Sequence, residues 1–448
     1  YPTFPNRTDI ITGKYGEPFH VWKPLPYNVT TFPELLAEKG YCTQLIHDTP
    51  HLVNGGHAFD FPFHAWMQVR GAEVDRSWIT GKLDFPPHWK FLPVFEKYPM
   101  TKEEMLKTDN PWRQYMRHHM FTNAHRKKEE DWNAAKLFST AARFLEENRE
   151  RDNFFLWIDS FDPHEPWDAT PEFMKMYDPT PGADGHIDPR SFAKNIMTDP
   201  DLPPEAAAHI RAQYFAKVSF MDKWFGLFLD RMRETGLAEN TMLIVTADHG
   251  TNLGQREGHA FGKARPPLED EAHIPLIIFH PDLGSGDTDM VVQPQDLFAT
   301  IQNTAGAAIP EDIVSRDLAE AIRQREKSGR EIALCGHFVD QWLRKTREEI
   351  LFSAYDSSYT LHFAASPDAC RLFKTGQKEE ISNQEPETVA DLHARAVEEI
   401  GRRGLNREWT LWLKNEGNSE KPVEMPIPEC NRKPDGYRSY FQNKYRGA

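Results

Sequence analysis

Asp248 and His249 stand side by side just past an apolar, partly β-branched run at residues 241–246, and Gly250 follows at once. A run of that length and make-up predicts a buried strand. It sets a carboxylate and an imidazole at a strand's carboxyl end, where open α/β sheets bind ligands and where the two groups can share a metal ion. Gly250 lets the backbone turn sharply behind them. An isolated Asp-His-Gly can equally do no more than cap that turn. A second set lies at the start of the chain, where Thr3, Pro5 and Arg7 are spaced so that Pro5 suits the first turn of a helix and Thr3 and Arg7 face its N-terminal end. Such an end attracts anions, and the planar guanidinium adds forked recognition of a sulfate or phosphate. The competing account is an N-cap Thr beside a solvated Arg. His164 leaves the end of a third apolar run, residues 153–158, and His259 and Lys263 follow Gly258 four residues apart.

Taken in chain order, these segments resemble those of the sulfatases. Thr3-x-Pro5-x-Arg7 with the later Thr12-Gly13 resembles the signature Cys/Ser-x-Pro-x-Arg with its Thr-Gly, whose first residue is the nucleophile. Gly40-Tyr41-Cys42-Thr43 resembles the family's Gly-Tyr-x-Thr strand entry, and Asp162-Pro163-His164-Glu165-Pro166 its His-x-Pro turn. Asp248-His249-Gly250 resembles its metal-binding strand end, and Lys263 with residues 273–278 the sulfate-contacting Lys and the strand after it. On these motifs the chain is identified as a member of the sulfatase-like branch of the alkaline phosphatase superfamily.

The resemblance implies a metal-dependent hydrolase of sulfate or phosphate and phosphonate esters, with a small anionic ester as substrate. It implies Thr3 as nucleophile and one divalent cation, Ca or Mg ahead of Mn or Zn, held by Asp248, His249 and the Thr3 oxygen. Arg7 and Lys263 would cage the anionic oxygens, and His164 would protonate or hydrogen-bond the leaving oxygen, with His259 a second candidate for that role. Two departures bear on this. Thr3 carries a methyl group on its carbinol carbon and cannot give the formylglycine that sulfatases make from Cys or Ser, whereas relatives acting on phosphodiesters and phosphonates use plain Thr or Ser. Where sulfatases commonly show Gly-Lys-Trp-His, this chain reads His47-Asp48-Thr49-Pro50-His51, so that Lys is absent and His51 stands one residue from the place of the His. The family also sets two adjacent carboxylates at the end of a first strand ahead of the nucleophile motif. Because the chain starts at Tyr1, the expectation is a fragment lacking that central strand, with weak metal binding and poor turnover. A non-catalytic, sulfatase-fold anion-binding protein is the alternative reading; retention of Arg7, His164, Asp248, His249 and Lys263 weighs against it.

The rest of the chain bounds these readings. With 448 residues it exceeds a single typical core, so a large domain with a smaller companion is expected. Against 53 Lys and Arg stand 68 Asp and Glu, a formal charge of −15, which argues against a nucleic-acid partner. No apolar run reaches the roughly 18 residues that would cross a bilayer. Cys42, Cys335, Cys370 and Cys430 lack a paired spacing, which favours reduced thiols and a cytoplasmic setting; a targeting segment would have preceded Tyr1, so its absence says nothing. Nothing in the composition marks an oligomeric state.

To position the chemistry the sequence predicts an α/β fold with a doubly wound, mainly parallel sheet over residues 1–310, its first strand missing, a small C-terminal α+β domain over 311–414, and a polar, Pro-containing tail over 415–448. Helices are expected at 32–39, 129–148, 205–233 and 295–305, and strands at 42–46, 153–158, 241–246 and 274–279. Residues 59–112, rich in Pro, Trp, Phe and His, read as long loops, with Arg70 and Asp75 either substrate contacts or a solvated pair. Beyond residue 310, strands at 349–354 and 359–364 flank a hairpin turn, residues 372–374 add a third, and a helix over 386–401 covers them.

Overall fold

The apolar runs at 42–46 and 153–158 become β1 (Cys42–His47) and, beyond the short β2 (Ala65–Gln68), β3 (Phe154–Asp159). β1 lies between the other two and pairs in parallel with both, the order being β2-β1-β3. The computed structural model describes residues 2–14, 24–25, 29–54, 56–75, 86–105, 119–120, 122–255, 261–264, 266–336, 348–350 and 352–402. His259 and the 415–448 tail lie outside these. The chain divides into two compact units, one of residues 1–35, 242–251 and 263–448, the other of residues 36–241 and 252–262.

The second unit holds the parallel sheet. Cys42 stands opposite Phe154 and His47 opposite Asp159, so β1 and β3 end level and deliver Asp48 and Asp159 to the same edge. Two helices accompany the sheet. Asn133–Glu147 buries Ala134, Leu137, Phe138, Ala141 and Leu145, the 3–4 spacing that the sequence shows, and Pro204–Glu234 buries Ile210, Phe220 and Phe228. They meet through Phe138, whose ring centroid is 5.6 Å from Phe225 and 6.4 Å from Phe228. Each buried Phe or Leu contributes about 1.5–3 kcal/mol. A second core, built from Trp89, Phe95, Trp167, Met174, Phe192 and Ile210, anchors the long Pro-rich stretch beyond β3. That stretch looks irregular in sequence because its packing is aromatic and non-periodic. A two-residue hairpin, β5 (Asn252–Leu253) with β6 (Phe261–Gly262), completes this unit.

In the first unit the helix Thr3–Thr12 packs with Asp296–Thr304, and β4 (Leu243–Thr246) pairs with β7 (Leu276–Phe279). That pairing is antiparallel. The chain between the two strands runs through β5, β6 and the one-turn helix Glu269–Ala272, and among its described residues there is no long helix to return it to the same direction. The α/β fold therefore combines its parallel sheet with an antiparallel pair. C-terminal to these, β8 (Ala333–Gly336), β9 (Phe352–Tyr355), β10 (Tyr359–Phe363) and β11 (Arg371–Lys374) form an antiparallel sheet in the order β11-β10-β9-β8. Phe352 and Phe363 are register partners and stack at 4.4 Å. The helix Pro386–Arg402 closes this core with Val389, Leu392, Ala396 and Ile400. Among the described residues no helix is long and apolar enough to cross a membrane, and Cys42, Cys335 and Cys370 are free thiols.

Candidate active site

Thr3 is the first residue of its helix, where the sequence alone sets it just ahead as a cap. Pro2 occupies the N-cap position without a side-chain cap, and Thr3 has φ of +39°. A left-handed backbone is rare for a β-branched residue and costs about 1–3 kcal/mol, a strain that persists where the surroundings hold it. Arg7 is part of that hold. Its Nη1 donates to the Thr3 carbonyl oxygen one turn back at 2.9 Å and to Asp248 Oδ2 at 2.5 Å. A single buried guanidinium thus ties the strained residue to the end of β4, 241 positions along the chain. The solvated-Arg account of this segment is excluded, because Arg7 is 6% exposed.

Asp248 and His249 leave β4 as its composition predicts, and their positions are locked from behind. Gly250 donates its N–H to the Glu271 carbonyl oxygen at 2.9 Å, and a Cβ on Gly250 would fall 2.0 Å from the Asp270 carbonyl oxygen, so only glycine fits. Buried Glu271 in turn accepts from the N–H groups of Ala264 and Leu268 at 2.7 and 2.9 Å, fixing the segment that follows Lys263. Burial pushes the Asp248 carboxyl up, but the charges of His249, Arg7 and Lys263 outweigh it and hold the group well below the usual carboxylate range. Asp248 is therefore an anion at any physiological pH.

The donor chemistry at this strand end suits a divalent cation. Nδ1 of His249 lies 2.7 Å from the Gly250 carbonyl oxygen, a contact that only Nδ1–H can make. A neutral ring then carries its lone pair on Nε2, which lies 3.7 Å from Asp248 Oδ1. Metal-bound histidines are held by this kind of back-side hydrogen bond. The set is short, however. Among the described residues no group of three or more His, Cys, Asp or Glu gathers to hold a metal ion.

The second unit carries its own cluster, on the loop that leaves β3. His164 is fixed by its N–H to the Phe161 carbonyl oxygen at 2.8 Å and by the Phe161 ring, stacked on the imidazole at 4.1 Å and 15°. Its Nδ1 faces the Glu165 carbonyl oxygen at 2.7 Å, Glu165 Oε2 at 3.2 Å and Glu73 Oε2 at 3.3 Å. His51 meets the other side of this group, its ring edge-on to Phe161 at 5.7 Å. Asp48, in the stretch that departs from Gly-Lys-Trp-His, is fully buried. It accepts the Phe161 N–H at 2.5 Å, and desolvation, reinforced by Asp162 and Asp159, raises its pKa to about 8. Asp48 is a neutral acid at pH 7.

Thr3, Arg7, Asp248, His249 and Lys263 are thus all in the first unit, with Arg7 in hydrogen-bond contact with both Thr3 and Asp248. His164 belongs to the second, and His259 lies outside the described residues. Two acids that the sequence reading did not single out, Asp48 and Glu73, are buried beside the His164 loop or against His164 itself. The signal for Glu73 lay in the flanking Arg70 and Asp75, a pair buried at its carboxylate, 0% exposed, and solvated at its guanidinium side chain, 51% exposed.

The family model described as Sulfatase matches residues 2–307. An ulvan-active sulfatase of Formosa agariphila is 26% identical over 333 residues, covering 71% of this chain and 55% of that protein. The iduronate 2-sulfatase of Mus musculus is 24% identical over 308 residues, covering 62% and 50%. This chain therefore spans about half the length of the curated relatives it matches. Among solved structures, a phosphonate monoester hydrolase from Silicibacter pomeroyi is similar in fold, with a TM-score of 0.59 at 20% identity, covering 96% of this chain and 91% of that one.

Proposed function

The chain belongs to the sulfatase family, and from that premise we propose that it hydrolyses sulfate or phosphate and phosphonate esters with Thr3 as nucleophile. The observation that carries the reading is Arg7 bridging Thr3 and Asp248, because it brings a strained hydroxyl residue, an anion-binding cation and a metal-type carboxylate into one cluster. After losing its proton to water, the Thr3 oxygen attacks sulfur or phosphorus. The bond to the leaving alcohol breaks with its electron pair on the alcohol oxygen, and His164 supplies that oxygen with a proton. His259 is the second candidate for this transfer. Arg7 and Lys263 neutralise the non-bridging oxygens, whose charge grows as the group transfers. Water then hydrolyses the Thr3 ester and restores the hydroxyl. Asp248, His249 and the Thr3 oxygen would hold a divalent cation, Ca or Mg before Mn or Zn, which would supply Lewis acidity to lower the hydroxyl pKa.

Phosphorus esters are the preferred class in this reading, since Thr3 cannot become formylglycine while an unmodified alkoxide is a competent nucleophile for phosphorus. The relatives' names, a sulfatase and a phosphonate monoester hydrolase, bracket the two chemistries. The test is turnover by the full chain of an aryl sulfate, a phosphate diester, a phosphonate ester and a phosphate monoester, with and without chelator. Faster hydrolysis of the phosphorus esters, lost on chelation, is expected. Faster aryl sulfate hydrolysis overturns the ranking, and no turnover of any ester with metal present favours an anion-binding protein.

A further inference from the structure

We propose that Glu73 is a positioning residue for His164: it holds the imidazole with Nδ1–H turned inward, so that the proton delivered to the leaving oxygen is the one on Nε2. This rests on the role given to His164 above. Three oxygens surround Nδ1, the Glu165 carbonyl at 2.7 Å and the Glu165 and Glu73 carboxylates at 3.2 and 3.3 Å. All three are acceptors, so Nδ1 must carry a proton to face them. With Nδ1–H committed to these oxygens, the proton the ring can pass on is one carried by Nε2. The face-to-face Phe161 ring restricts rotation about the remaining side-chain bond. The imidazole is thereby set in plane, in orientation and in protonation.

The loop that carries Glu73 is held firmly in place. Asp75 is fully buried and accepts a fork from Arg70, Nε at 2.9 and 3.0 Å and Nη2 at 2.5 Å, together with the Gly71 N–H at 2.8 Å. Asp75 donates its own N–H to the Ala72 carbonyl oxygen at 3.2 Å, closing a tight turn with Glu73 at its tip. Gly71 has φ of +122°, and a Cβ there would lie 2.7 Å from the side-chain oxygens of Asn123 and Asn133. Asn123 donates to the Gly71 carbonyl oxygen at 2.8 Å. A carboxylate only 7% exposed, on a turn pinned at both ends, is costly unless it faces a positive partner, and His164 is that partner. In the transfer, the ester bond breaks onto the leaving oxygen, that oxygen takes the Nε2 proton, and the ring remains as the neutral Nδ1–H tautomer. The water that hydrolyses the Thr3 ester gives its proton to Nε2, and the Thr3 oxygen regains from bulk water the proton it lost in the first step.

The test uses the full chain with divalent cation and a series of phosphonate and phosphate esters whose leaving alcohols range from acidic phenols to alkyl alcohols. Proton delivery matters most for the poorest leaving group. With Glu73→Gln, kcat/KM is expected to fall less than about threefold for the most acidic phenol and on the order of 10–100-fold for the least acidic alcohol, with the change in kcat and not in KM. A loss of equal size across the series, which a merely structural role would give, overturns the proposal, as does no loss at all. Nitrogen-15 NMR of the wild-type histidines, with His164 assigned by its absence in His164→Gln, gives a second readout that needs neither turnover nor a stable Glu73 variant. A protonated Nδ1 is expected; an unprotonated Nδ1 overturns the proposal. Failure of the wild-type chain to hydrolyse any ester would refute the hydrolase reading instead; an unprotonated Nδ1 would still overturn the role of Glu73, as would His164 nitrogen signals left unchanged by Glu73→Gln, which would assign the orientation to the Glu165 carbonyl.

Discussion

Replacing Asp48 with Asn should make the protein more stable, and only at the upper end of the pH range. Asp48 is wholly buried and its carboxyl is raised from 3.8 to about 8, first by desolvation and then by Asp162 and Asp159, against the opposing Phe161 N–H. Between those two values the folded state holds a proton that the unfolded chain releases. The contribution of Asp48 is therefore fully present below about pH 4 and is lost progressively as pH rises towards about 8. At 1.36 kcal/mol per unit, the whole interval corresponds to roughly 6 kcal/mol as an upper bound; protein relaxation and an effective dielectric near 20 bring the expected effect to about 2–6 kcal/mol. Asn keeps the shape and the carbonyl oxygen that accepts the Phe161 N–H, and it cannot ionise. Urea unfolding of wild type and Asp48→Asn across this range should give curves that meet near pH 4 and diverge steadily to pH 8, the variant being the more stable. Parallel curves, or a variant less stable at pH 8, would show that Asp48 ionises in the folded protein and that desolvation does not dominate there.

Arg7→Ala should lower both the affinity for inorganic sulfate or phosphate, read by competitive inhibition, and kcat, since each charge-assisted hydrogen bond is worth about 1.5–3 kcal/mol. It should also lower the Tm, because Asp248 is left without the guanidinium now 2.5 Å away; wild-type kinetics and Tm would place the anion cage elsewhere. Gly250→Ala forces the Asp270 carbonyl to move from a position 2.0 Å from the new methyl, so a loss of at least about 1–3 kcal/mol in denaturant unfolding is expected, together with weaker metal binding by calorimetry. An unchanged Gly250→Ala variant would mean that the Asp248-His249 strand end is not held by the Glu269–Ala272 turn.

The elements that position the chemistry were legible where an apolar run ends abruptly at charge. β1, β3 and β4 stop at His47, Asp159 and Thr246, within a residue or two of the predicted ends, where the apolar run gives out; the expected burial holds for β1, whereas β3 and β4 are mostly half-exposed. Long helices were legible for the same kind of reason: Ile210, Phe220 and Phe228 share one face of Pro204–Glu234. Other features depend on partners distant in sequence. β8 has only the residues Ala-Leu-Cys-Gly to announce it and exists because β9 pairs with it. The antiparallel direction of β7 against β4 depends on the path of the chain between them, which periodicity does not report. The left-handed Thr3 is likewise invisible in a Thr-Phe-Pro triplet, since Arg7 and Asp248 help to hold it.

The acids divide along the same line, and the division separates three chemical states of one side-chain type. Asp248 announces itself by its place after a strand, and its three neighbouring charges keep it ionised in spite of burial. Asp48 stands one residue after β1, but it is fully buried and its neighbours are Asp159 and Asp162, so it keeps its proton. Glu73 follows no strand at all and is placed by a turn whose glycine and buried Asp75 are set by Arg70, Asn123 and Asn133. Strand position therefore says where a carboxyl will be placed, while the sign of the charges gathered around it, contributed by residues tens to hundreds of positions away, decides whether it stays ionised or keeps its proton.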